Sequence, residues 1–401
     1  MEDPKRGKPT MDSQFPSTSM HLTNLDLPPE LITEILSRLR VKPLLKFRCV
    51  SKSWLALISS PEFIKTHLSI CANNKDYTNH ALMLGPRQPN NNLMYCSLRS
   101  LLYNDSVTHA FDLDYPMKLP HKSLSIVGSV NGLICFTIEE QHNFLWNPSI
   151  RMFKKLPYSR STLRSKYFLM YGFGYDELHD DYKVVGITTS DNKGSCHVKI
   201  YSLNSHCWRS TDDFHGELPV GKSGMVVNGK LHWFTFIAGL SAIDRVGLNG
   251  RDIVSVNLAD GKYGKVEHPC YGEGKFDLTL GVLGSDLSVV CNNGKTYTDV
   301  WVMKEYGVKE SWIKMLTINP PNNPLNHLFC PLFCMSNKSQ ILFEDGSTFM
   351  IYNLKDDSIR YRNITNCADF RDANIYIESL VLPFRQKKPR MQQKRGLKKC
   401  R

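Results

Sequence analysis

Hydrophobic positions recur at helical spacing near the start of the chain and at strand-like spacing over most of the rest. In the stretch LPPELITEILSRLR, apolar residues fall three and four positions apart, which is typical of one face of an α-helix. The prolines at its start, and Pro43 further on, suit the first turn of a helix. The segment KSWLALI extends the pattern to Ile58. The pattern predicts a small helical domain over residues 23–70.

Beyond residue 70 the pattern changes to short strands separated by tight turns. Asn-Gly and Asp-Gly dipeptides supply the positive φ that a two-residue hairpin turn requires. Strand-like runs flank several of them, as in GMVVNGKLHWFTF and QILFEDGSTFMIY. The pattern predicts a mainly β domain over residues 71–384. The dipeptides begin at Asn131, Asn228, Asn249, Asp260, Asn293 and Asp345.

A degenerate repeat lies beneath the strand pattern. Similar phrases (WNP, YSL, VNL, WVM and YNL) begin 55, 55, 45 and 51 residues apart. In the first three an aromatic residue follows seven positions later, which places it opposite the first residue across a hairpin. A period of about 50 residues made of short strands is typical of kelch-like propeller blades. The phrases begin at Trp146, Tyr201, Val256, Trp301 and Tyr352, and the following aromatics are Phe153, Trp208 and Tyr263.

The predicted fold class is therefore mainly β with a small N-terminal helical domain and a kelch-like β-propeller-type domain of five or six blades. The stretch from NHALML to HAFDLDY is expected to form a further, weaker blade, and NIYIESLVL to supply a closing strand. Trp146, Trp208, Trp233 and Trp301 are expected in the blade cores.

The positive charge of the chain is concentrated at its end. Nine of the +12 net charges lie in RQKKPRMQQKRGLKKCR, so the rest of the chain carries only +3. Residues 1–22 and 385–401 are polar enough to predict disorder. The tail suggests a nuclear-import signal, with the chain expected in the nucleus and/or the cytoplasm. The candidate import residues are Lys387, Lys388, Arg390, Lys394, Arg395, Lys398 and Lys399.

Membrane and secretory functions find no support in the sequence. The first residues lack the apolar segment of a signal peptide, and the most apolar later run, LHWFTFIAGLSAI, is too short to span a bilayer. Twelve cysteines follow no small-scaffold spacing and are expected to be reduced thiols. We expect no membrane insertion.

The helical stretch carries more apolar surface than three short helices can bury among themselves, which indicates a partner. The sequence LPPELITEILSRLRVKPLLKFRCVSKSWLALISSPEF resembles an F-box, with its Leu-Pro-x-Glu-Leu start and Ser-Lys-x-Trp end. The remainder is similar to the F-box-associated domain of plant F-box proteins, also described as F-box/kelch-repeat proteins. GSVNGLICF, LWNPSIRMFKKLP and VNGKLHWF are among the phrases that carry this similarity.

This resemblance implies the substrate-recognition subunit of an SCF (Skp–cullin–F-box) E3 ubiquitin ligase. Its F-box would dock on a Skp-type adaptor, which is joined to a cullin and a RING protein, and its β domain would hold an unidentified protein substrate. The resemblance implies no catalytic residue, metal or cofactor. Phe47 and Ile32 are expected in the F-box core, and Leu36→Lys or Pro43→Ala is expected to weaken adaptor binding. The adaptor-facing positions would be Leu27, Pro28, Leu31, Ile35, Leu36, Pro43, Leu44, Arg48, Val50 and Trp54.

Catalytic and metal-binding patterns are weak. The phrase YGFGYDELHDD gathers four carboxylates, but acidic residues in a strand-connecting turn are more typical of solvated positions than of an acid–base pair. Cys196-His197, His206-Cys207 and the Cys330/Cys334 pair do not form the paired Cys-x-x-Cys arrangement of a zinc site.

Two other function classes remain open. A helix-turn-helix DNA-binding module would need base-reading Arg, Asn or Gln in its last helix, whereas KSWLALISS is apolar. We therefore expect no specific nucleic-acid partner. A propeller enzyme or small-molecule-binding protein, with structural N-terminal helices, is the principal alternative, because propellers host many functions.

Overall fold

The computed structural model describes residues 27–384, apart from residues 90, 104–106, 116–121, 140–141, 159–168, 190–194, 212, 216, 238–251, 273–275, 294–296, 320–328, 336–338, 347 and 368. The predicted mainly β fold with a small N-terminal helical domain is confirmed.

The N-terminal domain consists of four helices, and proline or serine marks the start of three of them, α1, α3 and α4. Pro29 and Pro61 occupy the first turns of α1 and α4, where the missing N–H costs nothing. The Ser51 and Ser60 hydroxyls accept hydrogen bonds from the third helical N–H groups of α3 and α4, both at 3.1 Å. The helices are α1 (Pro29–Ser37), α2 (Val41–Phe47), α3 (Lys52–Ile58) and α4 (Pro61–Ala72).

The remaining described residues are almost all strand or turn. One helix that the sequence did not predict, α5 (Leu98–Tyr103), begins beside Ser97, whose hydroxyl accepts from the Ser100 N–H, and a 3₁₀ turn covers Lys309–Ser311. The first strands are β1 (His80–Pro86), β2 (Met94–Ser97), β3 (Thr108–His109), β4 (Phe111–Asp112), β5 (Leu124–Val130), β6 (Leu133–Ile138), β7 (His142–Asn147), β8 (Met152–Lys155), β9 (Leu169–Asp176), β10 (Asp181–Thr189), β11 (Ser195–Ser202), β12 (Cys207–Ser210) and β13 (Phe214–His215). The later strands are β14 (Glu217–Val227), β15 (Lys230–Ile237), β16 (Ile253–Asn257), β17 (Tyr263–Val266), β18 (Asp277–Leu283), β19 (Asp286–Asn292), β20 (Thr298–Met303), β21 (Trp312–Ile318), β22 (Phe329–Met335), β23 (Gln340–Asp345), β24 (Thr348–Asn353), β25 (Ile359–Arg362), β26 (Ile364–Thr365) and β27 (Phe370–Ile377).

These strands form a propeller-like arrangement of antiparallel sheets. Four separate sheets have four strands each, in the orders β27-β1-β2-β4, β5-β6-β7-β8, β18-β19-β20-β21 and β22-β23-β24-β25. A nine-stranded sheet contains two further four-stranded meanders, joined by a single parallel bridge between Gly172 and Gly224. The strands β27, β5, β9, β14, β18 and β22 contact one another in turn and close a ring.

The predicted hairpin geometry is confirmed in detail. Trp146 lies opposite Phe153, Tyr201 opposite Trp208 and Val256 opposite Tyr263. The Asn131-Gly132 and Asn228-Gly229 dipeptides have positive φ at both residues, as a type I′ turn requires. The seven-residue spacing in the sequence is therefore the register of the outer hairpin in these three meanders.

The weaker blade and the closing strand are also present. β1, β2 and β4 form the predicted blade, and β27 pairs antiparallel with β1 from His80 to Pro86. The C-terminal strand thus completes the sheet that the first strand begins, which ties the two ends of the domain together. Trp146 and Trp233 are buried in blade cores as expected, whereas Trp208 and Trp301 are half-buried.

Two buried histidines make the propeller sensitive to acid. His80 and His232 lie in the interior, and burial lowers the pKa of each to about 4. An unfolded histidine titrates near 6.5, so the unfolded chain takes up these protons first as the pH falls. Each buried histidine therefore contributes about 3 kcal/mol at neutral pH, and this is lost as the pH falls from about 6.5 to about 4.

We accordingly expect the free energy of unfolding, measured by urea denaturation, to decrease steeply between pH 6.5 and 4. His232→Gln should flatten this slope by about one proton, because Gln does not titrate. An unchanged slope in that variant would show that His232 already binds a proton in the folded chain.

Candidate partner-binding surface of the helical domain

The core of the helical domain combines apolar residues from all four helices with a leucine from near the end of the chain. Leu36 from α1, Val41 and Leu44 from α2, and Phe63 from α4 are buried together. Leu380, more than 300 positions downstream, is fully buried in the same cluster. The helices therefore share their core with the propeller domain.

The opposite side of α1 leaves an apolar stripe exposed. Leu27 lies just before the Pro28 N-cap of α1, and Leu31 and Ile35 follow at intervals of four on one face of that helix. Their side chains are 52%, 46% and 52% exposed, respectively. Val50, between α2 and α3, is also largely exposed. Large apolar side chains concentrated in so short a segment are a feature of interaction sites.

Two aromatic residues and an arginine in and beside α2 and α3 are half-buried. The Phe47 and Trp54 rings pack edge to face with their centroids 5.5 Å apart. The Nε atom of Arg48 is buried without a hydrogen-bond partner among the described residues, and burial lowers the pKa of its guanidinium group. An aromatic residue and an arginine beside exposed aliphatic residues resemble the composition of interface hot spots.

Of the ten adaptor-facing residues predicted from the sequence, five are exposed, three are half-buried and two are buried. Leu27, Pro28, Leu31, Ile35 and Val50 are exposed, and Pro43, Arg48 and Trp54 are half-buried.

Two predicted contact residues are instead core residues. Leu36 and Leu44 are 2% and 0% exposed, because helical periodicity turns them toward Phe63 and Leu380. The expectation that Leu36→Lys would weaken adaptor binding through a surface contact therefore needs correction, since the substitution places a charge in the core. Phe47 and Ile32 pack partly buried against this core, as expected.

Sequence reasoning missed two exposed apolar residues of the same domain. Leu55 on α3 and Ile70 on α4 are 47% and 37% exposed. Leu55 lies one residue after Trp54 in the apolar run WLALI, and an unbroken apolar run does not indicate which side of a helix faces outward.

The acidic turn in YGFGYDELHDD is a structural element. Asp176 is buried and accepts hydrogen bonds from Lys183 Nζ and from the His179 ring, both at 2.7 Å. Asp181 is also buried, and accepts from the Ser202 hydroxyl at 2.6 Å. The expectation of solvated carboxylates is thus wrong for these two, because each one organises a turn. Glu177 and Asp180 are exposed as expected.

A cavity of about 260 Å³ lies among the inner strands of the ring, lined partly by β5, β14 and β27. Glu344 and Asp372 are among the residues that line it. Within the described ranges, no three His, Cys, Asp or Glu side chains come together to hold a metal ion. This cavity is where the small-molecule alternative would have to be tested.

The cysteines whose side chains the structure describes differ in exposure. Burial raises the pKa of Cys96 and of Cys291 to about 12, whereas Cys49 and Cys270 are exposed. We expect iodoacetamide at pH 8 to label Cys49 and Cys270 in the native protein well before Cys96 and Cys291. Peptide mass spectrometry would measure the order. If Cys96 and Cys291 were labelled equally fast before and after guanidinium addition, their burial in the folded protein would be contradicted.

The candidate import residues of the basic tail lie outside the described residues. No helix in the described part of the chain is long and apolar enough to cross a membrane.

Comparison with known protein families identifies both domains. Residues 24–66 match the F-box domain, and residues 90–382 match the F-box associated beta propeller domain. The chain belongs to this family of F-box proteins.

Similar proteins from Arabidopsis thaliana match over nearly the whole length. F-box/kelch-repeat protein At3g23880 is 33% identical over 365 residues, which cover 89% of this chain and 96% of that protein. F-box protein CPR1 is 29% identical over 388 residues, which cover 89% of each. F-box protein At4g22390 is 29% identical over 387 residues, which cover 89% of this chain and 90% of that protein.

Proposed function

We propose that the chain is the substrate-recognition subunit of an SCF-type E3 ubiquitin ligase. The observation that carries the proposal is the exposed apolar stripe Leu27, Leu31 and Ile35 on an F-box whose other side is already packed on the propeller. A Skp-type adaptor would cover this stripe and connect the chain to a cullin and a RING protein.

The docking surface we propose is smaller than the set predicted from sequence. Its central part consists of Leu31 and Ile35 on α1, with Val50 in the connection between α2 and α3. Pro43, Arg48 and Trp54 are half-buried in the free chain, and the adaptor would cover the part that remains exposed. Leu36 and Leu44 would support the surface from inside the core.

The propeller would hold the protein substrate through the loops that connect its strands, because such loops vary on a rigid frame. The chain would perform no bond chemistry itself. It would raise the effective concentration of the substrate near a ubiquitin-loaded enzyme held elsewhere in the complex.

The decisive test compares full-length proteins rather than truncations, because deleting the helices would expose Leu380 and the rest of the shared core. Wild-type protein and a Leu31→Lys/Ile35→Lys double variant would serve as baits in a plant cell extract, with mass spectrometry of bound proteins. We expect adaptor and cullin with the wild type alone, and substrate candidates with both. A folded wild type that captures neither adaptor nor cullin would overturn the proposal.

We also propose that the basic tail directs nuclear import. Fusing residues 385–401 to a fluorescent reporter should concentrate the reporter in nuclei. Replacing Lys387, Lys388 and Arg390 by Ala should reduce that concentration, and an even distribution of the unaltered fusion would contradict the proposal.

A further inference from the structure

The last described segment of the chain, residues 378–384, connects the propeller to the F-box, and we call it the strap. It follows β27 directly and carries Leu380 into the core formed by Leu36, Leu44 and Phe63. The next residue, Val381, packs instead against the hydrophobic cluster between the β5–β8 sheet and the β9–β12 meander. The side chains of two neighbouring strap residues thus pack in different domains, Leu380 in the F-box and Val381 in the propeller.

Polar contacts fix the strap at its F-box end. The Glu378 carboxylate forms an ion pair with Arg40, which immediately precedes α2. The Glu378 N–H donates to the Asn79 carbonyl at 2.9 Å, and the Asn79 side-chain amide contacts the Cys71 thiol at 3.3 Å. The strap is therefore held to α2 and, through Asn79, to α4.

Asn147 fixes the strap at its propeller end. This residue is fully buried at the end of β7, in the WNP phrase. Its side-chain amide nitrogen lies 3.0 Å from the Ser379 carbonyl, 3.1 Å from the Ser379 hydroxyl and 2.8 Å from the Val381 carbonyl. Its side-chain oxygen accepts from the Tyr376 hydroxyl at 2.8 Å and from the Ser149 N–H at 3.0 Å. The side-chain nitrogen and the side-chain oxygen of Asn147 therefore both form hydrogen bonds.

Two other phrases of the repeat provide an internal comparison. Asn257 and Asn353 occupy the position of Asn147 in VNL and YNL. Each accepts from the backbone N–H two residues on, at 2.8 Å and 3.2 Å, as Asn147 does. Neither makes a side-chain hydrogen bond to the strap in the described structure, so Asn147 combines the shared turn with an additional function.

We infer that Asn147 is a positioning residue that fixes the orientation of the F-box relative to the propeller through the strap. Since the strap residues that it binds flank Leu380, its amide determines where the F-box core meets the propeller. Under the proposed ligase function, the same bonds would set the direction in which a substrate on the propeller faces the adaptor.

Hydrogen–deuterium exchange of the full-length protein, without adaptor, tests this inference. Asn147→Ala removes all five contacts. Asn147→Asp retains the side-chain oxygen for Tyr376 and Ser149 but replaces the donor to the strap by a carboxylate that faces two carbonyls. We expect both variants to speed exchange in peptides from α1 to α4 by about tenfold or more, because detachment of the strap opens the shared core.

Asn257→Ala and Asn353→Ala are the matched controls, since each removes the equivalent turn bond alone. They should leave exchange in α1 to α4 within about twofold of the wild type. Unchanged exchange in these helices for both Asn147 variants, or an equal increase in the controls, would overturn the inference. If Asn147→Ala unfolds the whole chain, Glu378→Gln provides the same comparison at the other end of the strap. Because no adaptor is present, failure here leaves the ligase proposal intact, and the pull-down tests the latter separately.

Discussion

Replacing Ile35 by lysine is expected to lower the affinity of the full-length protein for a Skp-type adaptor by about thirtyfold or more. Ile35 is 52% exposed on α1, so a lysine there remains hydrated in the free protein. In the complex the ammonium group would have to lose water against an apolar partner, which is unfavourable. Isothermal titration with purified adaptor measures the affinity, and thermal unfolding confirms that the fold persists.

Lysine variants of two leucines serve as controls that distinguish loss of an adaptor contact from a general effect of charge or from unfolding of the F-box. Leu178 is 83% exposed at the tip of the β9–β10 turn, outside the F-box, and Leu178→Lys should leave adaptor affinity unchanged. Leu36 adjoins Ile35 in sequence but is buried, so Leu36→Lys should destabilise the F-box itself. Wild-type affinity in Ile35→Lys would show that α1 does not face the adaptor.

Replacing Gly132 by alanine is expected to destabilise the protein by about 2–5 kcal/mol, from positive φ and from overpacking together. Gly132 has a φ of +76° in the Asn-Gly turn between β5 and β6. A Cβ atom there would lie 2.2 Å from the Ser379 hydroxyl and 2.6 Å from the Ile377 carbonyl. The strap therefore passes over this turn at a distance that only glycine permits.

Gly229 provides a control with nearly the same backbone. Its φ is +69° in the Asn-Gly turn between β14 and β15, and no atom lies within 4 Å of the position of its Cβ. Gly229→Ala should cost only about 1–2 kcal/mol, the backbone contribution alone. Urea denaturation of both variants measures the difference, which isolates the contact with the strap. Equal destabilisation would show that the strap can move aside at no cost.

Local sequence determined most elements of this protein and the pairing within three of its outer hairpins. The seven-residue spacing from Trp146 to Phe153 fixes a register because side chains alternate between faces at every residue of a strand. Asn-Gly supplies two positive φ angles, which is a property of the dipeptide itself. The serines before α3 and α4 likewise act on N–H groups three residues away.

The division of the F-box residues between surface and core depended on distant parts of the chain. Helical periodicity places Ile35 and Leu36 on different faces, but the sequence does not say which face a second domain will cover. Leu380 covers the face of Leu36, and its approach depends on β27 pairing with β1 and on the strap bonds of Asn147. For this reason the sequence predicts Leu36 and Leu44 on the adaptor surface, whereas both lie in the core.

The sequence by itself thus determined the class of the protein, its mainly β architecture and its hairpin registers, because these depend on residues a few positions apart. Only the tertiary structure decided which apolar side chains remain available to a partner and how the F-box is held on the propeller. Both depend on contacts between residues more than 200 positions apart, such as Asn147 with Ser379, which local patterns do not encode.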